Sequence, residues 1–173
     1  MELEDLEAQD FSNMGREEYI QDLSDRAHEK MHKLDTVYMN IAKEVATLSH
    51  CRRSKVGAIL VKDGNIISMG YNGTPKGFDN CCEEGQVDWN DEITLVTKKE
   101  VLHAEMNAVL KAARTGNSVE GSTLYITLSP CVDCSKYLLQ SGIKRVVYLE
   151  DYRDTNGVEL LKNYMKIEKY VSE

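Results

Sequence analysis

Residues 103–134 read HAEMNAVLKAARTGNSVEGSTLYITLSPCVDC, and the rest of the chain makes sense as a scaffold around them. The stretch holds a histidine, a carboxylate two residues later, and a Pro-Cys-x-x-Cys element after a gap long enough for one helix and one strand. His103, Cys131 and Cys134 offer one imidazole nitrogen and two thiolates, a set suited to a borderline-soft ion such as Zn²⁺ at a tetrahedral site. With three protein ligands evident, the fourth position is left for water, which separates a catalytic zinc from a closed structural one. Zinc lowers the pKa of bound water from about 16 toward 7 in favourable sites, and two thiolates moderate the effect, so a neighbouring base is useful. Glu105 is the candidate base. Its long side chain reaches the metal if it shares a first helical turn with His103. A lone CxxC also fits a redox pair or half a zinc knuckle. Specificity comes from the order and spacing of the two elements.

Working outward from this stretch, residues 122–127 (STLYIT) read as a buried strand. Ser129-Pro130 then supplies an N-cap and a helix-compatible proline before Cys131, which puts both cysteines in the first turns of a helix through Ser141. There the helix dipole and unpaired N–H groups favour thiolates. Gly142 ends that helix, 144–150 is a strand, and a crossover over 158–165 leads to a short strand at 166–171. On the other side, Thr97 to Glu100 looks like a capping box for a helix to about Arg114. That start would leave His103 in the second turn, so the metal geometry favours a break near Leu102. Earlier, 55–61 and 65–70 are strands around an Asp63-Gly64 hairpin turn. The glycine-rich 70–85 is a shaped loop, and 86–99 says little. Val37, Tyr38, Ile41, Ala42, Val45 and Leu48 predict an amphipathic helix from Leu34 to Ser49, with Asp35 as its N-cap. The sum is an α/β sandwich with parallel pairing in its later half.

The 173 residues suffice for one domain that buries a core without disulfides. Residues 34–173 are expected to form it, and 1–33 an acidic extension, partly helical or disordered. No run approaches the roughly 20 apolar residues that cross a bilayer. The acidic first residues are the opposite of a secretory signal, so a cytoplasmic address is expected. The formal charge of -8 argues against an extended nucleic-acid surface but leaves room for a small basic phosphate pocket. Five cysteines, an odd number, are expected as reduced thiols or metal ligands.

The pair HAE and PCVDC fits the signature of zinc nucleobase deaminases. From about Leu34 to the C-terminus the chain resembles the deoxycytidylate (dCMP) deaminases of the cytidine deaminase superfamily. The resemblance rests on Arg53-Ser-Lys-Val-Gly-Ala58, Gly70-Tyr-Asn-Gly-Thr-Pro-Lys-Gly77, His103-Ala-Glu105 and Thr127-Leu-Ser-Pro-Cys-Val-Asp-Cys134. HAE and PCxxC mark only the superfamily, whereas GYNGTP after a VGA strand is much more specific to the deoxycytidylate branch. The resemblance implies a three-layer α/β/α sandwich with a mixed five-stranded sheet, and hydrolysis of dCMP to dUMP and ammonia. It implies zinc on His103, Cys131 and Cys134, and Glu105 as proton shuttle. It further implies Asn72 on the sugar hydroxyl, backbone groups around Ala104 and Ser129 on the cytosine edge, and an aromatic near Tyr152 bordering the base. It also implies a homo-hexamer activated by dCTP with Mg²⁺ and inhibited by dTTP, through a pocket involving Gly70, Tyr71, Asn72 and Gly73.

Other readings stay open at the level of residues. Asn72 also fits a turn former, and Tyr71 fits packing. Lys76 and Arg114 are candidate phosphate contacts, against the reading of solvated charge, and the RRSKVG segment is a candidate basic rim. Some viral members carry a second, structural zinc; here its candidates are Cys51 and Cys81 with His28, His32 or His50. A deaminase of cytidine, deoxycytidine or an RNA base, and a non-catalytic nucleotide-sensing module, are the competing functions.

Overall fold

A computed structural model describes residues 15–172 of the chain. It divides into two compact units at the Leu34/Asp35 boundary. Helix α1, Arg16–Ala46, begins in the first unit and ends in the second. Within the first unit its turns are joined by Arg26–Asp22 (3.0 Å) and Lys33–Glu29 (2.7 Å) pairs four residues apart, the spacing at which helical side chains meet. The remaining expected extension, residues 1–14, lies outside the described residues.

The second unit is built on a five-stranded mixed sheet. Its strands are β1 (Gly57–Lys62), β2 (Asn65–Tyr71), β5 (Thr123–Leu128), β6 (Arg145–Glu150) and β7 (Lys166–Lys169), in the order β2-β1-β5-β6-β7. β1 runs antiparallel to β2 and β5, while β5, β6 and β7 are mutually parallel neighbours. Side-chain alternation sorts the central strands into two cores. Ala58, Leu60, Leu124, Ile126, Val146 and Tyr148 face one way. They pack with Ala104, Ala108 and Ala112 of α2 (Ala104–Arg114), Leu138 of α3 (Val132–Gln140), and Val158 and Leu161 of α4 (Asn156–Lys162). Ile59, Val61, Tyr125 and Val147 face the other way, against Met39, Ala42 and Val45 of α1. Helices on both faces make three layers, and a strand buried on both faces is why these segments read as apolar runs.

Three capping expectations are corrected. Asp35 does not cap a helix. It sits inside α1, where its carboxylate accepts from Arg145 Nη1 (2.8 Å) and Nη2 (2.6 Å) and from Tyr125 Oη (2.6 Å). Ser129 is not the N-cap of α3, because Cys131 holds that position. Thr97 opens no helix, since it ends a strand. That strand, β4 (Ile93–Thr97), pairs with β3 (Glu83–Val87) in a separate two-stranded hairpin that the sequence did not reveal. Its turn is closed by Asp88 Oδ1, which accepts from the N–H groups of Asn90 (2.8 Å) and Glu92 (3.0 Å). Among the described residues, no helix is long and apolar enough to cross a membrane.

Candidate active site

α2 and α3 both start where strands of the sheet end, and the metal-ligand candidates sit at those starts. His103 is the N-cap of α2, with extended backbone, and Cys131 is the N-cap of α3 in the same conformation. The helix cannot begin earlier because Leu102 is held extended by an isolated antiparallel bridge. Gly73 N–H donates to Leu102 O (3.1 Å) and Leu102 N–H to Gly73 O (2.9 Å). This puts Glu105 in the first turn of α2 and Cys134 in the first turn of α3. Gly70 lets α2 start directly on β2, since a Cβ there would lie 2.2 Å from Ala104 O.

His103 Nδ1 lies 3.4 Å from Cys134 Sγ and 3.7 Å from Cys131 Sγ, and the three donor atoms lie within 4.8 Å of one another. Ligands on one tetrahedral zinc, with Zn–S of about 2.3 Å and Zn–N of about 2.05 Å, stand roughly 3.6 Å apart. The donor set and its spacing therefore fit zinc. The three groups hydrogen-bond to one another. Hydrogen bonds from Cys134 and then His103 lower Cys131 to about 4. The bond to Cys131, together with burial, raises Cys134. The bond to Cys131 also raises His103 despite its burial. One thiol is thus ready to ionise, aided by two converging helix N-termini. Glu105 is 3% exposed, and burial pushes its carboxyl above the ordinary range, against the opposing pull of His103.

His103, Glu105 and Cys131 open into a cavity of about 610 Å³, lined also by Asn72, Ala104, Ser129 and Tyr152. Such a size suits a small ligand. Ser129 Oγ accepts the Tyr152 N–H (2.8 Å), so it ties the loop after β6 to the end of β5. The Asn72 amide spans the neck before β1. Its Oδ1 accepts from Val56 N–H (2.8 Å) and its Nδ2 donates to Ser54 O (2.9 Å). One amide hydrogen and one lone pair remain for a ligand.

Residues 32–150 match the family model described as the cytidine and deoxycytidylate deaminase zinc-binding region. The chain belongs to that family. A deoxycytidylate deaminase of Enterobacteria phage T4 is 40% identical, over 69% of this chain and 79% of that one. The human deoxycytidylate deaminase is 36% identical, over 69% and 66%. A crystal structure of dCMP deaminase from cyanophage S-TIM5, in complex with dCMP and dUMP, is 43% identical, covers 79% of this chain and 96% of its own, and superposes with a TM-score of 0.70.

Within this deaminase-family fold the two candidate phosphate contacts lie away from His103, and the expectation for the cysteines is corrected. Lys76 and Arg114 do not line the cavity of His103. They border a second cavity of about 600 Å³, with His50, Tyr71, Gly73 and Lys111. The loop after Gly73 is turned that way by its bridge to Leu102. The cations that line the first cavity are Arg53, Lys98, Lys99 and Arg153. Only Arg53, within the basic RRSKVG segment, carried a sequence signal. The cysteines also differ from the expected thiols. Cys51 is joined to Cys82 in a disulfide, with Cα atoms 5.1 Å apart, while Cys81 is free and exposed. Cys51 is thereby removed from a second zinc set. Among the described residues, the one cluster of three such ligands is His103, Cys131 and Cys134, and Cys81, His28, His32 and His50 form none.

Proposed function

We propose that this protein hydrolyses the 4-amino group of dCMP, giving dUMP and ammonia. The observation that carries the reading is a buried carboxylate, Glu105, beside a His/Cys/Cys set whose His103 and Cys131 line a cavity bordered by four cations. The dCMP deaminase of cyanophage S-TIM5, whose structure holds dCMP and dUMP, supports the choice of substrate. Zinc on His103, Cys131 and Cys134 would supply the Lewis acidity that makes the attacking water nucleophilic near neutral pH. Glu105 takes one proton of that water and passes it to N3 of the ring. As C4 becomes tetrahedral, Glu105 takes the remaining proton of the added oxygen and delivers it to the departing amine, which leaves as ammonia. A carboxyl raised by burial suits both halves of this exchange, because a base must also be able to return its proton. The spare amide hydrogen of Asn72 contacts the sugar hydroxyl, backbone groups of Ala104 and Ser129 hold the cytosine edge, and Tyr152 borders the base.

Regulation belongs to the same proposal. The second cavity, with Tyr71, Asn72 and Gly73 on one wall and Lys76, Lys111 and Arg114 beside them, suits a triphosphate: dCTP with Mg²⁺ as activator, dTTP as inhibitor. Gly70 packs against α2 and supports that wall from behind. Residues 34–173 act as the catalytic domain, with 1–33 as an extension, in a cytoplasmic homo-hexamer. The test is ammonia release by zinc-loaded protein from dCMP and deoxycytidine, each with and without dCTP and Mg²⁺. Preference for dCMP, increased by dCTP, is expected. Equal turnover would indicate a nucleoside enzyme, and silence on both an RNA-base deaminase or a sensing module.

A further inference from the structure

We infer that Glu83 is a positioning residue for Arg53, and through it sets the preference for a 5′-phosphorylated substrate over the nucleoside. The inference rests on the dCMP reading above. Glu83 is 7% exposed, yet it lies at the lining of the active-site cavity. Its Oε1 accepts from two consecutive backbone N–H groups, those of Arg52 (2.8 Å) and Arg53 (3.0 Å). Successive amides that converge on one point form an anion-binding concavity, and here the chain fills it with its own carboxylate. Charge-assisted bonds of this kind are roughly twice as strong as neutral ones, so the backbone beneath Arg53 is fixed.

The other end of Arg53 has a partner as well. Its Nη1 donates to Thr97 Oγ1 (3.1 Å). Glu83 and Thr97 are directly opposite each other in the β3–β4 ladder. One cross-strand pair therefore clamps both the backbone and the guanidinium of a single arginine. The junction is closed on either side by the Cys51–Cys82 disulfide and by Lys98 N–H donating to Cys82 O (2.9 Å). Two other cations of the cavity already have side-chain partners. Lys98 pairs with Asp79 (3.4 Å), and Arg153 lies over the Tyr152 ring, 5.5 Å from its centre. Arg53 keeps the rest of its planar donor fork for a phosphate, already oriented, and a held donor loses less entropy on binding than a loose one. A two-stranded hairpin of marginal intrinsic stability thus has a use: it carries the clamp.

The experiment is steady-state kinetics of the zinc-loaded full chain on dCMP and deoxycytidine. Glu83→Ala is expected to raise KM for dCMP about tenfold, equivalent to ~1.4 kcal/mol. Its kcat, and its kcat/KM for deoxycytidine, should stay close to wild type. Glu83→Gln keeps an accepting oxygen but loses the charge, so it should raise KM for dCMP by less than Glu83→Ala and leave deoxycytidine near wild type. Arg53→Gln should raise KM for dCMP by as much, and the double variant no further, since both act through one side chain. Thr97→Val, which leaves the Glu83 bonds intact, should move KM in the same direction by about threefold, and it reads out the clamp even if Glu83→Ala does not fold. Equal losses on both substrates, additive losses in the double variant, or an unchanged KM in Arg53→Gln would overturn the assignment. Equal wild-type turnover of dCMP and deoxycytidine would instead remove the dCMP reading, a failure visible before any variant is made.

Discussion

Gly157→Ala is a single added methyl that should loosen the metal. Gly157 lies in the first turn of α4, against the turn that holds Cys131. A Cβ at this position would lie 2.2 Å from Pro130 O and 2.7 Å from Cys131 C, whereas ordinary contact begins at 3.4 Å. Relief therefore requires about 1.2 Å of movement. Metal ligands tolerate displacements of only about 0.2 Å. If the turn yields, Cys131 leaves its place opposite His103. If α4 yields, the buried Val158 and Leu161 and the bond from Ser135 Oγ to Gly157 O (3.0 Å) are disturbed. Because both will give, the expected result is a ten- to hundred-fold loss of zinc affinity, about the size of an outer-shell lesion. A stability loss of about 1–3 kcal/mol should accompany it. Competition with a chromophoric chelator measures the first and urea denaturation the second. Gly57→Ala is the control. It creates an equal overlap, 2.1 Å on Ala42 O, but against α1 on the other face of the sheet. It should lose stability and keep its zinc. Unchanged zinc affinity in Gly157→Ala, or an equal loss in Gly57→Ala, would refute the reasoning.

Glu105→Gln should retain zinc, by metal analysis, and lose at least about a hundredfold in turnover, the low end for removing general acid–base help; near-wild-type turnover would reject the proton-shuttle role. Burial pushes the Asp35 carboxyl up, but hydrogen bonds from Arg145 and Tyr125 outweigh it and hold it below its usual 3.8. Its contribution is therefore complete above that pH and lost as pH falls through the lower folded value. Asp35→Asn should cost about 3 kcal/mol in urea denaturation at pH 7, and the gap from wild type should close in stronger acid. Denatured, metal-free, unreduced protein should show three reactive thiols, and five after reduction. Five from the start would exclude the Cys51–Cys82 bond. Reduction of that bond should cost about 3–4 kcal/mol of stability, given the 31-residue separation.

The five-stranded sheet was legible because each central strand is an apolar run and Asp63-Gly64 marks the first turn. The His103, Glu105, Cys131 and Cys134 set was legible because metal chemistry restricts both residue type and spacing. The β3–β4 hairpin was hidden for the converse reason. Val87 and Ile93 face each other across its ladder but remain 64% and 73% exposed, so no core imposes alternation on them. The disulfide was hidden because pairing depends on where the hairpin folds back, and adjacent Cys81 and Cys82 are equivalent in sequence. Lys76 and Arg114 looked suitable as phosphate contacts by charge alone. Which cavity they serve is decided by the Gly73–Leu102 bridge, a contact between residues far apart in the chain.

The two cavities share a wall residue. Asn72 lines both, Cys51 stands on the first and its disulfide partner Cys82 on the second. Ligands on either side of a shared residue cannot be independent if either one shifts it. By thermodynamic reciprocity, the factor by which an occupant of the second cavity changes affinity for the substrate is the factor by which the substrate changes affinity for that occupant. An effector would therefore bind more tightly or more weakly as the substrate pool fills, and dissociation constants measured on the isolated protein would describe only one corner of a linked cycle.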